Sequence, residues 1–301
     1  MRVAGSCAVM MAVAISGCRS PEAGSVKPDP ELAALVSHDA VVLVGARVEA
    51  LRATALYKKW AARKWSFEPD GLDFRKDLRE VLAASNGKDT LVLAKGKFSP
   101  AEMEAKLEKS GARKTEYRGR TLVGTQEAAV VFLNSSTAAA GSAAALRAMI
   151  DQKERSGGGI PEKLLEQTSA IPAANQIWAA ALGSNPLVVK AIPETGNLAN
   201  LRRIVASVET ATLGIDARSG LKMDARMACR SEQDAKFIHD GLRGLIGMGR
   251  LSVPDDEPEM LRFYDSIAVV QRESSVRVEA DIPMDVLEKF TFLRREPREP
   301  H

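Results

Sequence analysis

The sequence predicts an α+β fold, a mainly antiparallel sheet with helices packed on one face, and three observations lead there. In LKMDARMACR, Leu221, Met223, Ala225, Met227 and Cys229 alternate with Lys222, Asp224 and Arg226, the period of two of a strand with one wet face. In SEQDAKFIHDGLRGLIGM, Ala235, Ile238, Leu242 and Leu245 recur at steps of three and four, the period of an amphipathic helix. On either side of Gly157, Gly158 and Gly159 the chain repeats a similar order of elements, which suggests two similar α+β halves.

Taken in order, the apolar run 40–46 reads as a strand. VEALRATALYKKW places Val48, Leu51, Ala55 and Leu56 on one face of a helix over 48–64. FRKDLREVL does the same through Phe74, Leu78, Val81 and Leu82, predicting a helix over 74–85. A strand over 90–96 follows, and then SPAEMEAKLEK, with Ser99 as N-cap and Pro100 at the first helical position, starts a helix over 100–110. Three short strands fall between 113 and 133, and a helix over 137–152 closes this half.

The second half reads as a strand over 176–182, helices over 186–191 and 197–203, and strands over 208–216 and 220–230. Ser231 and Asp234 form a capping-box pair for the helix over 232–247. SIAVVQ and SVRVEADI, joined through Glu273 and Ser274, predict a hairpin over 265–272 and 275–282, before a final helix over 283–291. The halves are thus expected at 31–155 and 162–293, with a linker at 156–161 and a charged tail at 294–301.

The N-terminus carries a different message. Arg2 supplies a basic start, Ala8 to Ile15 an apolar run, and Ser16 and Gly17 small residues, as in a secretory signal. Ile15-Ser16-Gly17-Cys18 resembles the lipobox of bacterial lipoproteins. That resemblance implies a signal peptide over 1–17, cleavage before Cys18 and acylation of its thiol. Several acyl chains anchor a soluble body to a membrane stably, and the mature chain would be held at the membrane without spanning it. Residues 18–30 hold three prolines and few apolar groups, the composition of a tether. Arg19 stands where an aspartate retains enterobacterial lipoproteins in the inner membrane, so the resemblance leans to the outer membrane, facing the periplasm.

Forty-two Lys and Arg against 39 Asp and Glu give a formal charge of +3, a balance that points to no polyanionic partner and no nucleic acid. Past Cys18 only Cys229 remains, so an intrachain disulfide in the mature chain is excluded. The inventory of catalytic groups is thin: no nucleophile stands with a base, and no histidine, carboxylate or cysteine cluster has the spacing of a metal site. His239 is expected on a wet helix face and His38 in a turn, while Cys229 shares the apolar side of its strand. The glycines at 241, 244, 247 and 249 lie in or at the end of a helix, so they do not form a phosphate loop.

One charged feature has two readings. Arg47, Arg52, Lys58, Lys59, Arg63 and Lys64, with Trp60 and Trp65 nearby, are a candidate contact for lipid phosphates or an anionic envelope polymer. Alternatively, their stems cover apolar surface and acidic residues of the next segment neutralise them. The sequence as a whole points to an envelope lipoprotein with a noncatalytic binding or scaffolding body, no cofactor, and a protein or polymer partner. A carrier of lipid or a small apolar ligand is the alternative, and a hydrolytic enzyme stands third.

Overall fold

The computed structural model describes residues 24–61, 76–155, 157–183, 206–255 and 257–289. Cys18, Arg63, Lys64, the expected helices over 186–191 and 197–203, and the tail 294–301 lie outside the described residues. Among the described residues twelve strands form one sheet, every neighbouring pair antiparallel, in the order β11-β12-β10-β9-β8-β1-β2-β3-β7-β6-β5-β4. The first half supplies β1 (Val42–Ala46), β2 (Leu78–Ser85), β3 (Thr90–Gly96), β4 (Arg113–Tyr117), β5 (Arg120–Gly124), β6 (Ala129–Asn134) and β7 (Thr137–Gly141). The second supplies β8 (Ile177–Leu182), β9 (Val208–Asp216), β10 (Leu221–Cys229), β11 (Ile267–Arg272) and β12 (Ser275–Ile282).

The halves meet where β1 pairs with β8, Leu43 opposite Ala180 and Gly45 opposite Trp178. Each half runs the same course outward from this seam. Three strands form a meander (β1-β2-β3 and β8-β9-β10). The chain then leaves the sheet, returns as an outer strand (β6, β11), and closes with a strand paired back to the meander (β7 on β3, β12 on β10). The first half adds the β4–β5 hairpin outside β6, and no described strand lies outside β11.

The main helical cover lies on one face within each half, but the face changes across the seam. On one face, α1 (Pro30–Ala33) and α5 (Ala143–Glu154) of the first half, joined by α6 (Glu162–Ser169) from the start of the second, bury Leu43, Leu82, Leu93 and, across the seam, Trp178. The helices α2 (Val48–Arg52) and α4 (Pro100–Lys109) add Val48 and Met103 to a smaller cluster on the reverse face, with Val81, Ala94 and Phe132. In the second half, α7 (Glu232–Leu251), α8 (Pro258–Asp265) and α9 (Met284–Lys289) cover the side of β10 and β12 that carries Met223, Met227, Val276 and Ala280. Leu56 of α3 (Ala55–Ala61) packs against the α9 cluster, so a first-half helix helps close the second-half core.

Several sequence expectations change. The stretch read as a helix over 74–85 is strand β2 over its described part from 78 onward. It lies centrally between β1 and β3, so Leu82 and Ala84 are buried on one face while Val81 joins the cluster on the other. A strand covered on both faces loses the alternation that marks a half-exposed one. The helix expected over 137–152 opens as strand β7, because the alanine-rich run 137–141 has partners on both sides, β3 and β6. The helix begins only at Ala143, where Ser142 caps Ala145 N–H at 3.1 Å. The helix expected over 48–64 breaks at Ala53 and Thr54, where the Thr54 hydroxyl accepts the Tyr57 N–H at 3.1 Å and restarts it as α3.

The tether is also shorter than its composition implies. Val26 is buried and its N–H donates to the Ile171 carbonyl at 2.9 Å, so the described residues from 24 onward belong to the folded body. In the glycine-rich linker, a side chain on Gly158 would stand 2.1 Å from the Ala34 carbonyl oxygen, and Gly159 N–H donates to Val36 O at 3.0 Å. The glycines allow a close crossing between halves that share one sheet.

Candidate functional site

The polar side of the alternation in β10 and β12 forms the open face of the second half. The strand register sets its chemistry. Arg226 stands directly opposite Arg277, and Asp224 opposite Glu279. Like charges facing each other in a ladder are unfavourable. They are relieved in two ways: across the diagonal, Arg277 donates to Asp224 through Nε at 2.9 Å and Nη2 at 3.0 Å, and along β10, Arg226 donates to the same carboxylate at 2.8 Å. Arg277 also pairs with Glu279 at 2.8 Å, and Lys222 with Asp281 at 3.1 Å. Partial burial pulls the Asp224 carboxyl upward, but hydrogen bonds from Arg277 and Arg226 outweigh it and hold the group below the usual carboxylate range.

Next to this ladder, the β8–β9 end is tied down by Gln176 and Asp216. Gln176 is buried and its Oε1 accepts Ala217 N–H at 2.7 Å. Asp216 accepts from Arg218, and the bonds from Arg218 lower its carboxyl to about 2, against the opposing effect of burial. Side-chain room is limited at Gly214, where a Cβ would meet the Asn175 amide at 2.7 Å. The segment 170–175 after α6 therefore lies tightly against β9 and forms one wall of a groove.

The groove has two connected parts that share Ala170, Thr212, Arg226 and Glu279. One, of about 380 Å³, reaches Asp216, Asp224 and Asp281. The other, of about 420 Å³, reaches Arg272 and Arg277. The first part also holds Lys222 and Arg226 and the second Glu279, so carboxylates outnumber cations toward one end and cations outnumber carboxylates toward the other. Small residues floor it and ion pairs rim it, a surface suited to recognising charges of both signs.

The residues singled out in the sequence fall elsewhere. Arg47 turns its guanidinium inward to the carbonyls of Ala173 and Asn175, the latter at 2.8 Å. Arg52 donates to the carbonyls of Lys76 at 2.7 Å and Leu78 at 3.0 Å. Lys59 pairs with Glu288, and Lys58 is exposed. Two of the four described cations thus hold backbone carbonyls and a third is ion-paired. His239 contacts Asp240 at 2.9 Å on α7, and His38 lies in a turn. Cys229 is 4% exposed among Val208, Ile238 and Val276, and burial pushes its thiol upward. Gly244, Gly247 and Gly249 lie inside α7, and a Cβ on Gly249 would stand 2.6 Å from the Tyr264 ring of α8. Among the described residues no group of three or more His, Cys, Asp or Glu side chains is placed to hold a metal ion.

The Asp224-centred ladder was legible only in part. The sequence shows charges on one side of each strand, but which charges meet depends on the register between β10 and β12.

No family model matches this chain, and no curated protein matches it. Among solved structures it is similar to TP0453. Crystal form I matches with a TM-score of 0.50 at 11% identity, over 87% of this chain and 95% of that one. Form IV gives 0.52 at 11% identity, over 82% and 90%, and form III gives 0.53 at 12% identity, over 84% and 93%. At this identity the likeness concerns the fold alone.

Proposed function

We propose that this chain is an exported lipoprotein of the cell envelope, anchored through Cys18, whose folded body binds a protein partner on the open charged face of its second half. The anchor rests on the Ile15-Ser16-Gly17-Cys18 match at the end of the apolar run. The observation that carries the binding role is the groove beside α6, with Asp216 and Asp224 toward one end and Arg272 and Arg277 toward the other. A face with alternating charge favours a partner of mixed charge over a uniform polyanion, because either sign alone would meet repulsion along half of its length. The ion pairs fix the arginine and carboxylate geometry in advance, which lowers the ordering cost of association.

The test uses the full chain in its native envelope. A photo-crosslinking residue in place of Thr212, which lines both parts of the groove, should capture a recurrent protein. Asp224→Lys should abolish that capture, because it reverses the central charge and releases two arginines. Capture that persists unchanged in Asp224→Lys, or recovery of lipid alone, would refute the assignment. For the anchor, mass spectrometry of the mature N-terminus should find a lipid-modified Cys18, and Cys18→Ala should release the protein from the membrane fraction. An unmodified product beginning at Met1 would end that part of the reading.

A further inference from the structure

The two edges of the sheet are unlike. At one end, β4 reads Arg-Lys-Thr-Glu-Tyr and is exposed along nearly its whole length. Charged side chains on an edge strand discourage another chain from pairing with it. At the other end, β11 reads Ile-Ala-Val-Val-Gln-Arg, with its only charge at the last residue and Val270 41% exposed. The N–H of Asp281 donates to Ser266 O at 3.2 Å, which fixes the hydrogen-bonding parity of the hairpin. By that parity Ala268 and Val270 turn their backbone groups toward β12, and Ile267, Val269 and Gln271 turn theirs outward.

The fold itself supplies a precedent for what such an edge accepts. The strand that occupies the place of β11 in the first half is β6, and β6 is paired on its outer side by the antiparallel strand β5, Val123 opposite Val130. Among the described residues, β11 lacks the counterpart of β5.

We propose that β11 pairs antiparallel with β11 of a second copy of this chain, forming a two-fold dimer with one continuous sheet. A dyad through Val269 places Val269 opposite its own copy, Ala268 opposite Val270, and Ile267 opposite Gln271, and it opposes no two like charges between Ser266 and Arg272. The helix that overlies this edge gives a separate reason for a second copy. The α7 helix packs on β11, and Gln271 Nε2 donates to the Glu232 carbonyl at its start at 3.2 Å. Yet it leaves Leu245, Met248 and Leu251 exposed, Leu251 to 89%. A dyad normal to the sheet puts both copies of α7 on the same face beside the seam, where this apolar surface can be buried. The strand and the helix face that no described residue covers are thus answered by one self-complementary contact.

The test is size-exclusion chromatography with light scattering on the full chain in mild detergent across a dilution series. The polypeptide mass should be twice that of one copy at high concentration and fall to one copy on dilution. Val270→Lys puts a charge on the exposed side of the edge and should raise the dimer dissociation constant by at least about tenfold. Hydrogen exchange provides the second readout. The amides of Ile267, Val269 and Gln271 should be protected in the dimer and exchange rapidly in dilute protein or in Val270→Lys, while the β12 amides paired to β11 stay protected. A chain that is monomeric at every concentration, or a dimer unmoved by Val270→Lys, would overturn the proposal. So would edge amides protected equally in the monomer, which would mean that another segment of the same chain covers β11.

Discussion

Trp178 offers the sharpest test of how the two halves are joined. It is 1% exposed at the centre of the sheet, on β8, and its indole lies across β1 at Gly45. A Cβ built on Gly45 would stand 2.1 Å from Trp178 Cε2, so the glycine is what lets the ring lie flat over the seam. Trp178→Ala removes the largest fully buried side chain of the core. Truncations of this kind cost about 3–5 kcal/mol, and the surrounding β-strands cannot easily collapse into the space. For a chain of this size each kcal/mol lowers Tm by about 2–4 °C, so the expected loss is roughly 6–20 °C. Gly45→Ala alone should cost about 1–3 kcal/mol through overpacking. In the Trp178→Ala background the same substitution should cost almost nothing, because the atom it collides with is gone. Urea unfolding of the wild type, both single variants and the double variant, followed by circular dichroism, measures that coupling. Additive costs would show that the ring does not rest on Gly45. A wild type that unfolds in two separate transitions would show that the seam does not make one cooperative unit of the halves.

Further outcomes follow from other contacts. Glu31 accepts from Lys95, from Thr137 at 2.7 Å and from Asn134 at 2.9 Å, and these bonds lower its carboxyl from 4.5 to about 2. A carboxyl lowered by folding stabilises the native state above its unfolded pKa, and that contribution is lost as pH falls from about 5 toward 2. Glu31→Gln should therefore flatten the acid limb of a stability-against-pH curve, and an unchanged limb would refute the network. Cys229 should react slowly with an alkylating reagent in the native protein and rapidly once denatured; fast native labelling would mean that its strand register is wrong. Within α7, Gly244→Ala meets no neighbour within 4 Å and should stabilise by about 0.5–1 kcal/mol through helix propensity. Gly249→Ala would push into the Tyr264 ring and should destabilise, so melting curves that shift the same way for both would contradict the α7–α8 packing.

What the sequence alone determined is whatever one element can show by itself. Strands with one wet face announce themselves by alternation, and β9, β10 and β12 fall where the pattern puts them. The start of α7 is equally legible, because the Ser231 hydroxyl and Asp234 satisfy each other locally, Asp234 N–H donating to Ser231 Oγ at 3.1 Å. The lipobox match is likewise a local signal, carried by four consecutive residues. Some local signals are too brief to read: α6 and α8 are eight residues each, about two turns, and no helix is expected over either. Tertiary structure decided the rest. Leu78 to Ser85 and Thr137 to Gly141 suit a helix by composition and become strands only because partners pair with them on both sides. Arg47 and Arg52 looked like surface cations because a sequence shows charge and hides distance; the carbonyls they satisfy lie 126 and 128 residues away for Arg47, and 24 and 26 for Arg52. The Asp224 ladder belongs to this second kind. Its charges were visible in two separate strands, but a one-residue slip in their pairing would turn every one of them to the opposite face, and pairing between strands is a property of the assembled sheet.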